Sequence, residues 1–291
     1  MNIISPSFDM TNLYTPDSLV SVHWLAENLQ AENLVVLDAS MKPVTPAHSD
    51  NQEMHAYIPG ALRFDIDNEM SDMSTSLSHM MPPPEVFTEK VQKLGINKNS
   101  AIVAYDQVGL YSSPRAWCMF RAMGHEQVAV LDGGLPAWIQ AGYQTAPTLA
   151  VSTGRGDFIS QPQGELFVDS NYVLHALTDP TFSVIDARSD GRFKGLEPEP
   201  RAGLKPGHMP NAVNIPFAGV LENGKMLSRP RLQSIFNKYE DKKMVFSCGS
   251  GVTACVVALA ADQAGHKNLQ VYDGSWSEWG LPSSGLPVET G

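Results

Sequence analysis

Short apolar runs alternate along the chain with stretches that have helical composition, and turns rich in Gly and Pro separate them. Buried strands are predicted at 33–40, 100–106, 127–132 and 244–247, and helices at 18–30, 85–96, 116–124 and 252–264. Strands that alternate with helices are typical of a mostly parallel sheet covered by helices on both faces. The pattern therefore predicts an α/β protein.

The same pattern occurs twice. Residues 100–138 and 242–279 both read as a strand, a loop, a helix, Gly-His, a second strand, an Asp-Gly turn and a Trp. Asp132 lies 26 positions after Asp106, and Asp273 lies 25 positions after Cys248. Earlier segments match as well, NLVVLDAS with FSVIDARS and YIPGALRFD with HMPNAVNIP. Repetition on this scale predicts two copies of one unit.

Between the two copies, the chain is rich in Gly, Pro, Ser, Thr and Gln, as linkers are. We predict one domain at residues 1–143, a linker at 144–166 and a second domain at 167–291. Cys248 in the second copy corresponds to Asp106 in the first, and a carboxylate cannot do the chemistry of a thiolate. We therefore expect the second domain to be catalytic and the first to be non-catalytic.

Cys248 stands between a predicted buried strand and a predicted helix, in the sequence CGSGVTA. Gly249 and Gly251 allow a tight turn whose amide groups are exposed. The unpaired N–H groups and the dipole of the helix N-terminus stabilise an anion held in such a loop. The flanking glycines thus favour a nucleophilic thiolate over a buried structural cysteine.

The formal net charge of −11, without a run of Lys or Arg, argues against nucleic acid or an anionic membrane as a partner. No signal or transit peptide is apparent, no apolar run is long enough for a membrane span, and the three cysteines suggest neither a disulfide framework nor a zinc site. We expect a cytoplasmic protein that uses neither a metal nor another cofactor.

An anionic substrate would need a local cluster of positive charge. Arg192 and Arg201 lie in an irregular, Pro-rich loop before Cys248, where both substrate binding and simple solvation remain open. Arg188 directly follows a strand, which favours a structural ion pair. Position 254 is Ala, so the arginine of a phosphatase Cys-x5-Arg loop is missing, and no G-x-G-x-x-G motif supports a dinucleotide site. Cys255 falls among Val and Ala and is interpreted as a buried residue.

Several motifs together resemble the tandem-domain rhodanese superfamily, and within it the 3-mercaptopyruvate sulfurtransferase group. They are CGSGVTA, YDGSWSEW, GRFKGLEPEPRAGLKPGHMPNAVNIPF, FDID and SSPRAW, and they span nearly the whole chain in order. Thiosulfate-using relatives typically read CRKGVT at the cysteine, whereas this chain has Gly249 and Ser250 after it.

The resemblance implies two tandem rhodanese-like domains and an enzyme that moves the sulfur of 3-mercaptopyruvate through a Cys248 persulfide to a thiol or cyanide, releasing pyruvate. It further implies an acceptor such as thioredoxin and a catalytic group of Cys248, Ser250, His79 and Asp67, with His79 and Asp67 coming from the first domain. Substrate binding is then expected at Arg192, Arg201, Gly249, Gly251, Val252 and Thr253.

Two alternatives remain at this point. One is a thiosulfate sulfurtransferase, which would prefer the other sulfur donor. The other is a persulfide carrier, which would pass its sulfur to a bound protein with little turnover. The pair Arg192 and Arg201 favours a small anionic substrate over a docking surface.

Overall fold

A computed structural model describes residues 12–42, 56–162 and 164–291. The N-terminal residues 1–11, on which the expected lack of a signal partly rests, and most of the Pro-containing stretch before residue 56 lie outside the described residues. Among the helices of the described ranges, none is long and apolar enough to cross a membrane.

The first copy forms a five-stranded sheet in the order β1-β5-β4-β2-β3, with all neighbouring strands parallel. Its strands are β1 Leu19–Val20, β2 Leu34–Asp38, β3 Leu62–Arg63, β4 Ala101–Tyr105 and β5 Val128–Leu131. Its helices are α1 Val22–Asn28, α2 Pro84–Lys93, α3 Ser113–Ala122 and α4 Gly134–Gln140. Every residue of the central strand β4 is buried, because helices cover both faces of the sheet.

The second copy repeats this topology with the order β6-β12-β11-β7-β8, again entirely parallel. Its strands are β6 Phe167–Val168, β7 Phe182–Asp186, β8 Val213–Asn214, β11 Lys243–Ser247 and β12 Leu269–Tyr272. Its helices are α5 Ser170–Ala176, α6 Asp190–Phe193, α7 Arg229–Phe236, α8 Ala254–Ala264 and α9 Ser275–Trp279. A short antiparallel hairpin, β9 Leu221–Glu222 and β10 Lys225–Met226, is inserted before α7.

The predicted α/β fold with two parallel sheets flanked by helices is confirmed. The prediction of a helix over 18–30 is wrong at its start, because Leu19–Val20 is a strand that pairs with β5. The helix begins one residue after Ser21, whose side chain accepts a hydrogen bond from the amide of Trp24. Asp169 caps α5 in the same way in the second copy, through the amide of Tyr172.

One apolar cluster extends across both copies. The largest cluster of buried residues includes α3 of the first copy and α8 of the second, which pack against each other. Ten of the residues of α8 are buried, far more than a surface helix would bury. The α3–α8 contact therefore fixes the two sheets relative to each other and brings loops of both copies to one place.

Candidate active site

Cys248 begins the loop between β11 and α8, as predicted. Its amide donates to the hydroxyl of Ser275 at 3.1 Å, and its carbonyl accepts from the amide of Trp276 at 3.0 Å. The carbonyl of Gly249 accepts from the amide of Ser277 at 2.8 Å. These contacts with the first residues of α9 hold the base of the loop, in which Cys248 is only 2% exposed.

Ser275 has a role that the sequence did not indicate. Its backbone φ is +48°, a conformation that costs a non-glycine residue about 1 kcal/mol or more. In that conformation its hydroxyl accepts from Cys248 and donates to the carbonyl of Tyr272 at 2.8 Å. Ser275 lies within the YDGSWSEW motif, but the motif does not predict its contact with Cys248, 27 residues earlier in the chain.

Arg192 and Arg201 converge above the start of this loop. A Cβ atom built on Gly249 would lie 3.2 Å from Nη2 of Arg192 and 3.6 Å from Nη1 of Arg201. Arg201 also donates from Nη2 to the hydroxyl of Ser250 at 3.2 Å. Two guanidinium groups thus lie beside the residue that follows Cys248, and the missing side chain at Gly249 leaves room for them.

Glu199 fixes the orientation of Arg192, a contact that the sequence analysis missed. Its carboxylate accepts from Nη2 of Arg192 at 2.6 Å and from Nη1 of Arg188 at 2.7 Å. Arg188 is fully buried, is held by Asp186 at 2.6 Å and lies over the ring of Trp276. The structural interpretation of Arg188 is therefore confirmed, and through Glu199 this residue supports the neighbouring Arg192.

A hydrogen-bonded chain runs from the first copy to the loop. His79 Nδ1 lies 3.0 Å from Oγ of Ser250, and His79 Nε2 lies 3.1 Å from Oδ1 of Asp67. An ionised carboxylate can only accept, so Nε2 carries the ring hydrogen when the imidazole is neutral. Nδ1 then accepts from the hydroxyl of Ser250. The expected juxtaposition of Ser250, His79 and Asp67 between the domains is present.

The remaining loop residues lead into α8. Gly251 has a φ of +74°, Val252 is buried, and Thr253 occupies the position before the helix. Cys255 is buried, and its Sγ donates to the carbonyl of Gly251 at 3.2 Å. Burial raises the pKa of the Cys255 thiol well above its ordinary value, so the thiol stays protonated at neutral pH. This agrees with the interpretation of Cys255 as a packing residue.

The equivalent loop of the first copy already contains an anion. The carboxylate of Asp106 is fully buried and accepts hydrogen bonds from five backbone amides at 2.9–3.0 Å and from one hydroxyl at 2.8 Å. The amides belong to Val108, Gly109, Tyr111, Ser112 and Ser113, and the hydroxyl to Ser113. A loop of this kind therefore surrounds one anionic group with N–H donors.

In the second copy, residues 249–253 follow Cys248 in the equivalent loop. Within the part of the chain that the structure describes, their amides donate to no protein carbonyl or carboxylate. Across the same ranges, no group of three His, Cys, Asp or Glu side chains is arranged to hold a metal ion. The arrangement offers a thiol at the start of a loop, with two guanidinium groups beside the next residue and a hydrogen-bonded chain of Ser250, His79 and Asp67.

Comparison with known proteins agrees with this description. The family model of the rhodanese-like domain matches residues 21–141 and again residues 169–281. The chain belongs to the rhodanese family. Its two rhodanese domains correspond to the two sheets, and the matched segments contain Asp106 and Cys248 respectively.

Relatives with both domains are similar over most of their length. The human 3-mercaptopyruvate sulfurtransferase is 40% identical over 280 residues, which cover 90% of this chain and 91% of that protein. The mitochondrial thiosulfate/3-mercaptopyruvate sulfurtransferase 1 of Arabidopsis thaliana is 36% identical over 97% of this chain and 81% of that protein. The crystal structure of SseA from Escherichia coli, a 3-mercaptopyruvate sulfotransferase, matches 90% of this chain and 100% of its own with a TM-score of 0.78 and 35% identity.

Proposed function

We propose that this rhodanese is a sulfurtransferase that takes the sulfur of 3-mercaptopyruvate onto Cys248 and passes it to a thiol or to cyanide, releasing pyruvate. The observation that carries the proposal is the convergence of Arg192 and Arg201 beside Gly249, next to the thiol. A 2-oxo acid has a carboxylate and an adjacent carbonyl, and two arginine forks suit these oxygens. The name of the human relative supports the same donor.

In the first half-reaction, the Cys248 thiolate attacks the sulfur of the bound donor. A sulfur–sulfur bond forms and the carbon–sulfur bond breaks, and its electron pair goes to the methylene carbon as the enolate of pyruvate. The negative charge of the enolate develops on the oxygen that Arg192 and Arg201 would hold, which stabilises the transition state more than the ground state. The proton of the donor's thiol ends on the methylene carbon, which completes pyruvate and leaves the persulfide as an anion.

Ser250, His79 and Asp67 would manage that proton. The hydroxyl of Ser250 accepts from Arg201 at 3.2 Å, which makes its own proton easier to release. His79 lies on the other side at 3.0 Å, and Asp67 keeps the imidazole in the tautomer that accepts from Ser250. The relay therefore has a donor, an acceptor and an orienting carboxylate.

The persulfide left on Cys248 would carry its charge on the outer sulfur, within reach of the amides of residues 249–253. In the second half-reaction, the acceptor attacks that outer sulfur, the sulfur–sulfur bond breaks, and its electron pair returns to Cys248 as the thiolate. No electrons are gained or lost overall. The proposal includes a thiol acceptor such as thioredoxin. It also includes a cytoplasmic location, because the three cysteines are free thiols, which suit a reducing compartment.

The test is the steady-state kcat/KM for 3-mercaptopyruvate and for thiosulfate, with cyanide as the common acceptor. We expect mercaptopyruvate to be preferred, because Gly249 leaves the space beside both arginines open. Cys248→Ser should release no pyruvate above the uncatalysed rate, and the matched variant Cys255→Ser should retain turnover. A preference for thiosulfate would overturn the proposed donor, and turnover by Cys248→Ser would overturn the nucleophile.

The dual name of the Arabidopsis relative keeps thiosulfate as the second candidate donor. A persulfide carrier is distinguished by incubating the protein with mercaptopyruvate and then with an excess of dithiothreitol. A carrier would release one equivalent of pyruvate and stop, whereas a sulfurtransferase continues to release pyruvate with each cycle.

A further inference from the structure

Arg115 lies at the centre of the contact between the two rhodanese domains. It belongs to α3 of the first domain, and none of its surface is exposed. Its Nη1 donates to the carbonyl of Gly251 at 3.2 Å, and its Nη2 donates both to Asp273 Oδ1 at 2.7 Å and to the carbonyl of His79. One guanidinium therefore contacts the Cys248 loop and the backbone of His79 at the same time.

Asp273 completes this contact from the second domain. Its Oδ1 accepts from Arg115, and its Oδ2 accepts from the amide of Met81 at 2.7 Å. Both partners are almost fully buried, with side-chain exposures of 0% for Arg115 and 9% for Asp273. Removing one partner of a buried pair of this kind strongly destabilises the fold, because the other charge is left unpaired.

The segment that the pair holds is strained at His79. The backbone φ of His79 is +66°, in the left-handed region that residues with a Cβ atom rarely adopt. Arg115 binds the carbonyl of His79, and Asp273 binds the amide of Met81 two residues later. Such strain persists only where the surrounding structure compensates for it, and here the compensation comes from one buried ion pair.

We propose that Arg115 and Asp273 are positioning residues that set the contact between His79 and Ser250. Neither touches the reacting atoms. They bind the backbone on both sides of the relay, at His79 and Met81 in the first domain and at Gly251, next to Ser250, in the second. The inference rests on the proposed function only in so far as the His79–Ser250 contact is used in turnover.

The first domain offers a matched control. Asp132 follows β5 as Asp273 follows β12, and its Oδ1 accepts an amide of the other domain, that of Met226, at 2.9 Å. It thus makes the same kind of contact between domains beside the Asp106 loop, away from Cys248. Asp132→Asn and Asp273→Asn are the same chemical change at equivalent places.

The experiment measures kcat and KM of Asp273→Asn and Asp132→Asn in the wild-type background and in His79→Ala, with thermal unfolding of each protein. We expect Asp273→Asn to lower kcat by about 30-fold with little change in KM, and Asp132→Asn to change kcat by less than about threefold. In the His79→Ala background, Asp273→Asn should lower kcat further by no more than about threefold, because the group it positions is gone.

Equal losses from Asp273→Asn in both backgrounds would overturn the proposal, as would equal effects of the two Asp→Asn changes. If Asp273→Asn does not fold, Arg115→Lys takes its place in the same cycle, because it keeps the charge but lacks the fork that reaches three acceptors. If the wild-type protein uses thiosulfate and not mercaptopyruvate, the proposed donor is wrong, and the same cycle measured with thiosulfate still decides the positioning role.

Discussion

The two rhodanese domains have the same topology and the same strand–loop–helix unit, but they use the loop differently. In the first, Asp106 brings its own carboxylate into the loop, and five amides bind it permanently. In the second, Cys248 occupies the equivalent place, and among the described residues no carbonyl or carboxylate accepts from the amides of 249–253. The first loop therefore contains a carboxylate bound by the protein, and the second contains a thiol in its place.

The segments that cover the two loops also differ. The turn of the β9–β10 hairpin lies on the first loop, where a Cβ on Gly109 would come within 2.7 Å of the carbonyl of Gly224. The second loop is covered from the other domain by the segment that carries His79, whose imidazole reaches Ser250. One cover closes its loop with backbone, and the other brings a titratable side chain to it.

The largest effect is expected from removing the permanent anion. Asp106→Ala leaves five buried amides and the hydroxyl of Ser113 without their acceptor, so we expect the free energy of unfolding to fall by about 4 kcal/mol. The exposed Asp241→Ala should change it by less than about 0.5 kcal/mol. Urea unfolding followed by tryptophan fluorescence measures both, and a loss below about 1 kcal/mol for Asp106→Ala would refute the structural role.

Removing an arginine tests the proposal that only the second loop binds a substrate. The first domain has no arginine between residues 39 and 62, where the second has Arg192 and Arg201 in the corresponding stretch. Arg201→Met should lower kcat/KM for mercaptopyruvate by about 100-fold, because a charge-assisted contact with the donor is lost. The exposed Arg231→Met serves as the control and should stay within about twofold. A loss below about threefold for Arg201→Met would remove this residue from the site.

The smallest effect is expected at Cys255. Its pKa is raised by burial, so it is a poor nucleophile at neutral pH and should not resolve the Cys248 persulfide. We expect Cys255→Ala to keep kcat with dithiothreitol as acceptor within about threefold of wild type and to lower stability by about 1 kcal/mol. Formation of a Cys248–Cys255 disulfide during turnover, detected by peptide mapping, would contradict this.

The fold could be predicted largely because the second copy repeats the first. The apolar runs and the repeated Gly-His and Asp-Gly turns predicted the strands. The glycines around Cys248 predicted the loop that carries the thiol. The start of the first helix could not be predicted, since Leu19 belongs to a strand only through its pairing with Val130 on a distant segment. Local composition does not contain that information.

The parts of the site that are close together in the sequence could be predicted, and the parts that come together only in the fold could not. Cys248 and its loop follow from neighbouring residues, whereas His79 and Asp67 were indicated only by the family resemblance. The roles of Arg115, in SSPRAW, and Asp273, in YDGSWSEW, were not predicted. Their contacts exist only after the two domains pack together. One signal in the sequence could have indicated Asp273: the two copies have an aspartate at the same place, Asp132 in the first and Asp273 in the second.

We propose that the Cys248 loop holds a sulfur anion as the Asp106 loop holds a carboxylate. The most direct measurement is a crystal structure of the protein after incubation with mercaptopyruvate in the absence of an acceptor. We predict one additional sulfur atom on Cys248, with hydrogen bonds from several amides of residues 249–253, as the carboxylate of Asp106 receives them in the first domain. An additional sulfur that points away from these amides, or that is bound to Cys118 or Cys255, would contradict the claim.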